Sequence, residues 1–135
     1  MNAQWTFKQL AEQQVLLITV TGAFALADSE RLVNDIRNTR ADLEKVHILT
    51  DFRGADLKLE TVDIFECPKA YQQLAKGRHT RVAMLFKIIR DETLFYENVC
   101  RNLGYDVSVF TDYDQAMQWL TAGTASQSPA GAKRT

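Results

Sequence analysis

The sequence is poor in the residues that build metal centres and disulfide frameworks: of 135 residues, two are cysteine and two histidine. Cys67 and Cys100 do not form a CxxC pair, and neither has a second Cys or a His at metal-ligand spacing. No metal and no other cofactor is expected, and both cysteines read as free thiols in a reducing cytosol. Glycine is scarce too. Gly22, Gly54, Gly77 and Gly104 are isolated from one another, so no glycine-rich loop can cradle a phosphate, and no GxSxG elbow presents a nucleophilic serine. Charge of neither sign is in excess: 16 basic against 17 acidic side chains give a formal charge of -1. That leaves no global field to gather nucleic acid or an anionic membrane. No apolar run approaches the roughly 18 residues of a membrane span. Met1 leads into mixed polar and aromatic residues without a signal-peptide pattern, and the chain reads as soluble and cytoplasmic.

What is present is an alternation of strand and helix patterns at a length usual for one domain. Two β-prone runs, Trp5 to Gln9 and Val15 to Thr21, stand a hairpin's length apart and predict an antiparallel ribbon. Asp28, a good N-cap residue, opens an amphipathic helix through Leu32, Val33, Ile36 and Leu43. Strands follow at Val46 to Thr50, Val82 to Phe86 and Val107 to Phe110. Between the first two of these a helical pattern runs from about Glu60 to Lys76, split or kinked near Cys67 by Pro68. A further helix has Asp91 as N-cap, carries Leu94, Phe95, Val99 and Leu103 on one face, and stops at Gly104. The last has a capping-box spacing from Thr111 to Asp114, apolar Ala116, Met117 and Leu120, and Gly123 as its stop. The order β-β-α-β-α-β-α-β-α predicts an α/β domain with right-handed crossovers. Its sheet should be mainly parallel, with five strands, an N-terminal antiparallel edge strand and about four helices. Residues 1–121 are expected to form that domain, and 122–135, small and polar with Pro and Gly, a flexible tail.

Strand parity divides the sheet into two faces, because successive side chains point to opposite sides. Leu16, Ile18, Val20, Val46, Ile48, Val82, Met84, Phe86, Val107 and Val109 form one strongly apolar face for helices to cover. The other carries Leu17, Leu49, Ala83, Leu85 and Phe110 among Thr19, His47, Asp51, Arg81 and Ser108. It is too apolar to leave in water, and a helix, a second copy of the chain or a ligand should cover part of it.

This element order, with "DFRGADL" after the third strand and "YDVSVFTDYDQAMQWL" as final strand and helix, resembles the STAS superfamily, and within it the small SpoIIAA-like bacterial proteins. The resemblance spans roughly Trp5 to Leu120. It implies a βα superhelix similar to the CRAL-TRIO lipid-binding domain and a role in binding partners or small ligands rather than catalysis. In the anti-sigma factor antagonists of that superfamily, a serine in the turn after the third strand is phosphorylated by a partner kinase. Here the region reads "GADLKLETVDIF", with no serine and Thr61 as its one hydroxyl, so no phospho-acceptor is carried over.

Several residues could carry chemistry. Asp51 and Arg53, at the carboxyl end of a parallel strand, could orient a polar ligand, or could belong to an ordinary turn with Gly54 supplying an unusual backbone angle. His47 shares their face but stands about 13 Å from Asp51 along the strand at ~3.3 Å per residue, too far for a dyad. The basic turn from Lys76 to Arg81, which includes His79, could hold an anion, yet no aromatic residue interleaves with its charges as single-stranded nucleic acid would require. Phe24, Leu26, Phe52, Ile88 and Ile89 either tuck over helix ends as hydrophobic staples or form an apolar rim at one sheet edge, with Asp51 and Arg53 as its polar groups. The leading expectation is a non-enzymatic domain that binds a protein partner without the phospho-serine switch. A homodimer would use Leu17, Leu49, Leu85 and Phe110. The alternative is a small-molecule or lipid-binding module with its site at that rim, where Arg53 would meet an acidic head group.

Overall fold

A hairpin begins the sheet. In the computed structural model, which describes residues 2–10, 14–39, 47–58 and 81–122, β1 (Gln4–Leu10) pairs antiparallel with β2 (Val15–Phe24). Then β3 (His47–Leu57), β4 (Arg81–Leu85) and β5 (Asp106–Phe110) each pair parallel with the strand before, giving five strands in chain order. The described residues include three helices: α1 (Leu26–Thr39), α2 (Asp91–Asn102) and α3 (Tyr113–Leu120). The helix expected near 60–76, with its kink at Pro68, lies outside the described residues, as do Cys67, Thr61, His79 and the tail beyond 122.

The two faces follow the parity. On one, Leu16, Ile18, Val20, Ile48, Val82, Met84, Val107 and Val109 meet Leu32, Val33 and Ile36 of α1 and Cys100 of α2. Val46 lies outside the described residues. On the other, Leu49, Ala83, Leu85 and Phe110 pack with Ala116, Trp119 and Leu120 of α3. This corrects the expectation of an interface on that face: Leu49 and Leu85 are 0% exposed and Phe110 1%. The helix that follows β5 covers them, and a second copy cannot reach them; Leu17, half-buried, packs against the same cluster. The helix buries Ala116, Trp119 and Leu120, an i, i+3, i+4 stripe, with Met117 half-buried against the flank of the same cluster. The Trp119 ring lies 5.8 Å from that of Phe110.

The largest departure from the sequence reading is the length of the central strands. β2 continues to Phe24 and β3 to Leu57, and the two stay paired to the end, Gly22 with Ala55 and Phe24 with Leu57. Thr19 faces Asp51 but Thr21 faces Gly54, so Val20 opposes both Phe52 and Arg53 in a β-bulge. Gly54 is therefore strand rather than turn and needs no left-handed angle; a Cβ there would press to 3.3 Å of the Thr21 methyl.

Helix starts are each displaced from their expected caps. α1 begins two residues before Asp28, whose carboxylate instead accepts the Ala25 N–H at 2.9 Å. α2 is preceded by Arg90 in extended backbone, with the Thr93 hydroxyl accepting its N–H at 3.3 Å, and Asp91 is the first helical residue. α3 is capped by Asp112, which accepts from Gln115 N–H at 3.0 Å. The stop at Gly104 holds: its φ is +93°, and the Gly104 and Tyr105 N–H groups close back onto Arg101 and Cys100, a Schellman motif. The inward face of α2 is led by Cys100 and Glu97, both 0% exposed, whereas Leu103 is 48% exposed. Glu97 belongs there because its Oε2 accepts the Val109 N–H at 2.8 Å, tying the helix to the edge strand β5.

At the amino end of the parallel strands Arg81 ties three elements together. Its Nη1 donates to the Trp119 carbonyl at 2.8 Å, its Nε stands 3.5 Å from the Asp106 carboxylate, and its backbone N–H donates to His47 Nδ1 at 3.0 Å. The last bond requires an unprotonated Nδ1. Burial lowers the His47 pKa below 6.5 and the Arg81 charge lowers it further, with Asp106 partly opposing. The folded state thus favours neutral imidazole, and as pH falls through 6.5 the unfolded chain takes up the proton first. Stability should be full above pH 6.5, decline just below it, and level off once the folded pKa is passed. Chemical denaturation across that range should show the decline in the native chain and a flatter profile in His47→Asn, the substitution separating it from any effect of His79.

Glycine at position 22 is a steric requirement. Its φ is +84° and a Cβ would stand 2.3 Å from the Asn2 carbonyl oxygen, where Asn2 bridges to Ala23. Gly104 has a similar φ but open space around it. Gly104→Ala should therefore cost about 1 kcal/mol of left-handed strain, and Gly22→Ala upwards of about 3 kcal/mol as strain and clash combine. Urea midpoints of the two variants should separate in that order.

Candidate functional site

The carboxyl ends of β2, β3 and β4 open into a groove of about 410 Å³, the edge at which open α/β sheets bind ligands. Its floor is aromatic. Phe52 and Phe86 stack at 5.5 Å with an interplanar angle of 9°, and Phe24 meets Phe52 edge-on at 5.2 Å. These rings come from three neighbouring chain segments because Phe24 ends β2, Phe52 sits in the bulge of β3 and Phe86 follows β4. Met84 and, on α2, Thr93 and Tyr96 extend the lining, and Ser29 of α1 contributes with its hydroxyl donating to the Leu26 carbonyl at 2.6 Å. Ala55 and Leu57 join from the far side of the bulge.

Charged groups ring this floor. Arg53, Lys87, Arg90, Asp56 and Glu92 line the groove, and Ile88, 60% exposed, stands between the two cations of the β4–α2 connection. Asp51 and Arg53 form a bidentate pair, Nε to Oδ1 and Nη2 to Oδ2 both at 2.9 Å, and Asp51 Oδ1 also accepts the Arg53 N–H at 3.0 Å. Burial pushes the Asp51 carboxyl up, but the Arg53 hydrogen bonds and charge outweigh it and hold its pKa below the ordinary value. The pair is satisfied internally, which makes Asp51 a poor candidate for a general base. Among the described residues no three His, Cys, Asp or Glu side chains cluster to hold a metal ion, and Cys100 is buried in the core.

Of the residues expected at the rim, Phe24, Phe52, Arg53 and Ile88 line the groove. Leu26 and Asp51 are half-buried beside it, and Ile89 turns to pack on the first apolar cluster. Lys87, Arg90 and Tyr96 were missed by the sequence reading. The two cations were legible as the basic flanks of "FKIIR", whereas Tyr96 reaches the groove through a helix whose inward face is set by Glu97 and Cys100.

No protein-family model matches the sequence, and no curated protein matches it. Solved structures do. An uncharacterised protein of Shewanella loihica PV-4 with a SpoIIAA-like fold is similar at 17% identity and a TM-score of 0.57, over 88% of this chain and 94% of that one. An anti-sigma factor antagonist of Mycobacterium paratuberculosis is similar at 13% identity and a TM-score of 0.61, over the same shares. At such identities the likeness is one of fold, and it joins the parallel sheet, the hairpin at its start and the closing strand and helix into one architecture: this chain has a SpoIIAA-like fold.

Proposed function

We propose that this chain is a non-enzymatic regulatory domain of the cytoplasm that acts by binding a protein partner at the carboxyl-end rim of its sheet. The observation that carries the reading is the exposed Ile88, flanked by Lys87 and Arg90 and standing beside the aromatic groove. A bulky apolar side chain held in water between charges is what a binding surface offers a partner. The fold adds weight, since one solved structure that shares it is described as an antagonist of an anti-sigma factor. The phospho-serine switch has no place in the proposal, because the stretch from Gly54 to Phe65 contains no serine. Two candidates for catalytic roles are already engaged: Asp51, beside the groove, pairs with Arg53, and the Ser29 hydroxyl donates to the Leu26 carbonyl.

A second reading is favoured by the groove itself. Its volume of about 410 Å³ and aromatic floor suit a small apolar molecule, with the protein surface around it serving as the regulated part.

The partner reading is tested by affinity capture with the native chain and the variants Ile88→Asp and Lys8→Ala in parallel, followed by reconstitution from purified components. A partner should bind the native chain and Lys8→Ala alike and bind Ile88→Asp at least about tenfold more weakly, as loss of a central anchor does. Equal binding by all three would place the working surface elsewhere.

A further inference from the structure

We propose that the groove takes a small anionic amphiphile, its apolar body on the Phe24–Phe52–Phe86 floor and its carboxylate or phosphate held by Lys87 and Arg90. The inference rests on the reading of the groove as a ligand site and adds the chemistry of the occupant.

The charge pattern carries it. Two of the charged groups in the lining are matched within the chain: Arg53 by both oxygens of Asp51, and Asp56 by Lys58 at 3.0 Å. What remains is Lys87 and Arg90 against Glu92. Neither cation has an ion-pair partner among the described residues. Both are exposed and close in sequence around Ile88, at the mouth of a groove whose floor is apolar. A neutral ligand leaves the surplus positive charge as it was, and a cationic one adds to it; an anion offsets it. Arg53, to which the sequence points for a head group, keeps N–H donors beyond the two that bond Asp51, but its charge is already offset by that carboxylate. The volume of about 410 Å³ lies at the lower end of the range for small-molecule sites, about 300–1,000 Å³. It suits a short acyl chain or one or two rings, and excludes a whole phospholipid. The parallel Phe52 and Phe86 rings give that body an apolar surface, and Met84 adds a polarizable neighbour.

The test titrates the full chain with octanoate, 2-naphthoate and phenyl phosphate, and with octanamide, 2-naphthamide and octylamine as neutral and cationic counterparts. Calorimetry gives affinities, and backbone NMR shifts locate the site. At least one anion should bind with a Kd below about 1 mM, perturb Phe52, Phe86 and Tyr96, and exceed its amide by about tenfold. Lys87→Ala combined with Arg90→Ala should remove that preference while leaving the amide's affinity unchanged. Ala55→Phe, which fills the groove, should abolish binding of both, its folding checked by thermal unfolding; if it fails to fold, the shift map of the native chain stands in for it. Binding of amide or amine as strong as that of the acid, or an acid preference that survives the double substitution, overturns the anion assignment but keeps the groove as a site. Shifts located elsewhere, binding that survives in folded Ala55→Phe, or no binding by any probe at about 1 mM overturns both.

Discussion

The pairing of β2 with β3 is the constraint on which the rest depends. It runs from Val15 with His47 to Phe24 with Leu57, and its single bulge at Phe52 and Arg53 decides which side chains reach which face. Before the bulge, even-numbered residues of β3 face α1 and α2, as Ile48 does, and odd-numbered ones such as Leu49 face α3. One extra residue reverses that rule. Ala55 and Leu57, paired with Gly22 and Phe24, thereby come to the groove side, where the unbulged strand would have sent them under α3. The groove is thus a product of register as much as of composition: the same residues without the bulge would put their apolar side chains on the opposite face.

This also explains what could be read from the amino acids and what could not. The strand cores were legible because "VLLITV" and "VAMLF" are short, nearly continuous apolar runs of strand length, and their two faces follow from the two-residue period of a strand. The segment "DFRGADL" is no such run, and its Asp, Arg and Gly imitate a turn. Only the partner strand reveals that the backbone stays extended, since "GAF" of β2 is itself too short and small to announce a strand. The helical stripe was read from Ala116, Met117 and Leu120, and the structure adds Trp119 as its most bulky buried member, with Met117 half-buried at its flank. Glu97 could not be placed inward from composition, because its position depends on an edge-strand N–H that needs an acceptor. The interface expected on the second face failed on the same ground: the apolar residues were identified, but α3 proved to be their cover.

The two ends of the parallel strands divide the charged residues by task. At the amino end, Arg81 is drawn into the Trp119 carbonyl, the Asp106 carboxylate and the face of the Trp119 ring, 5.6 Å from its guanidinium carbon. Its charge is used to fasten α3 and β5 to β4. At the carboxyl end, Asp51 disciplines Arg53 by two hydrogen bonds within its own strand, while Lys87 and Arg90 stand on a connection that no regular element constrains. Lys87 and Arg90 thus stand at the edge opposite the one that Arg81 fastens.

The bridge between Asn2 and Ala23 has a practical side. It stitches the first residues of the chain to the end of β2, next to Phe24 in the groove floor, with Ala3 4% exposed beneath. Any peptide fused ahead of Asn2 would leave the molecule beside the site whose occupancy is to be measured, and a basic purification tag there would bring its own charges to the rim. A fusion beyond Ala122, which follows α3 and is remote in sequence from the groove-lining segments, is the sounder choice for binding work on this protein.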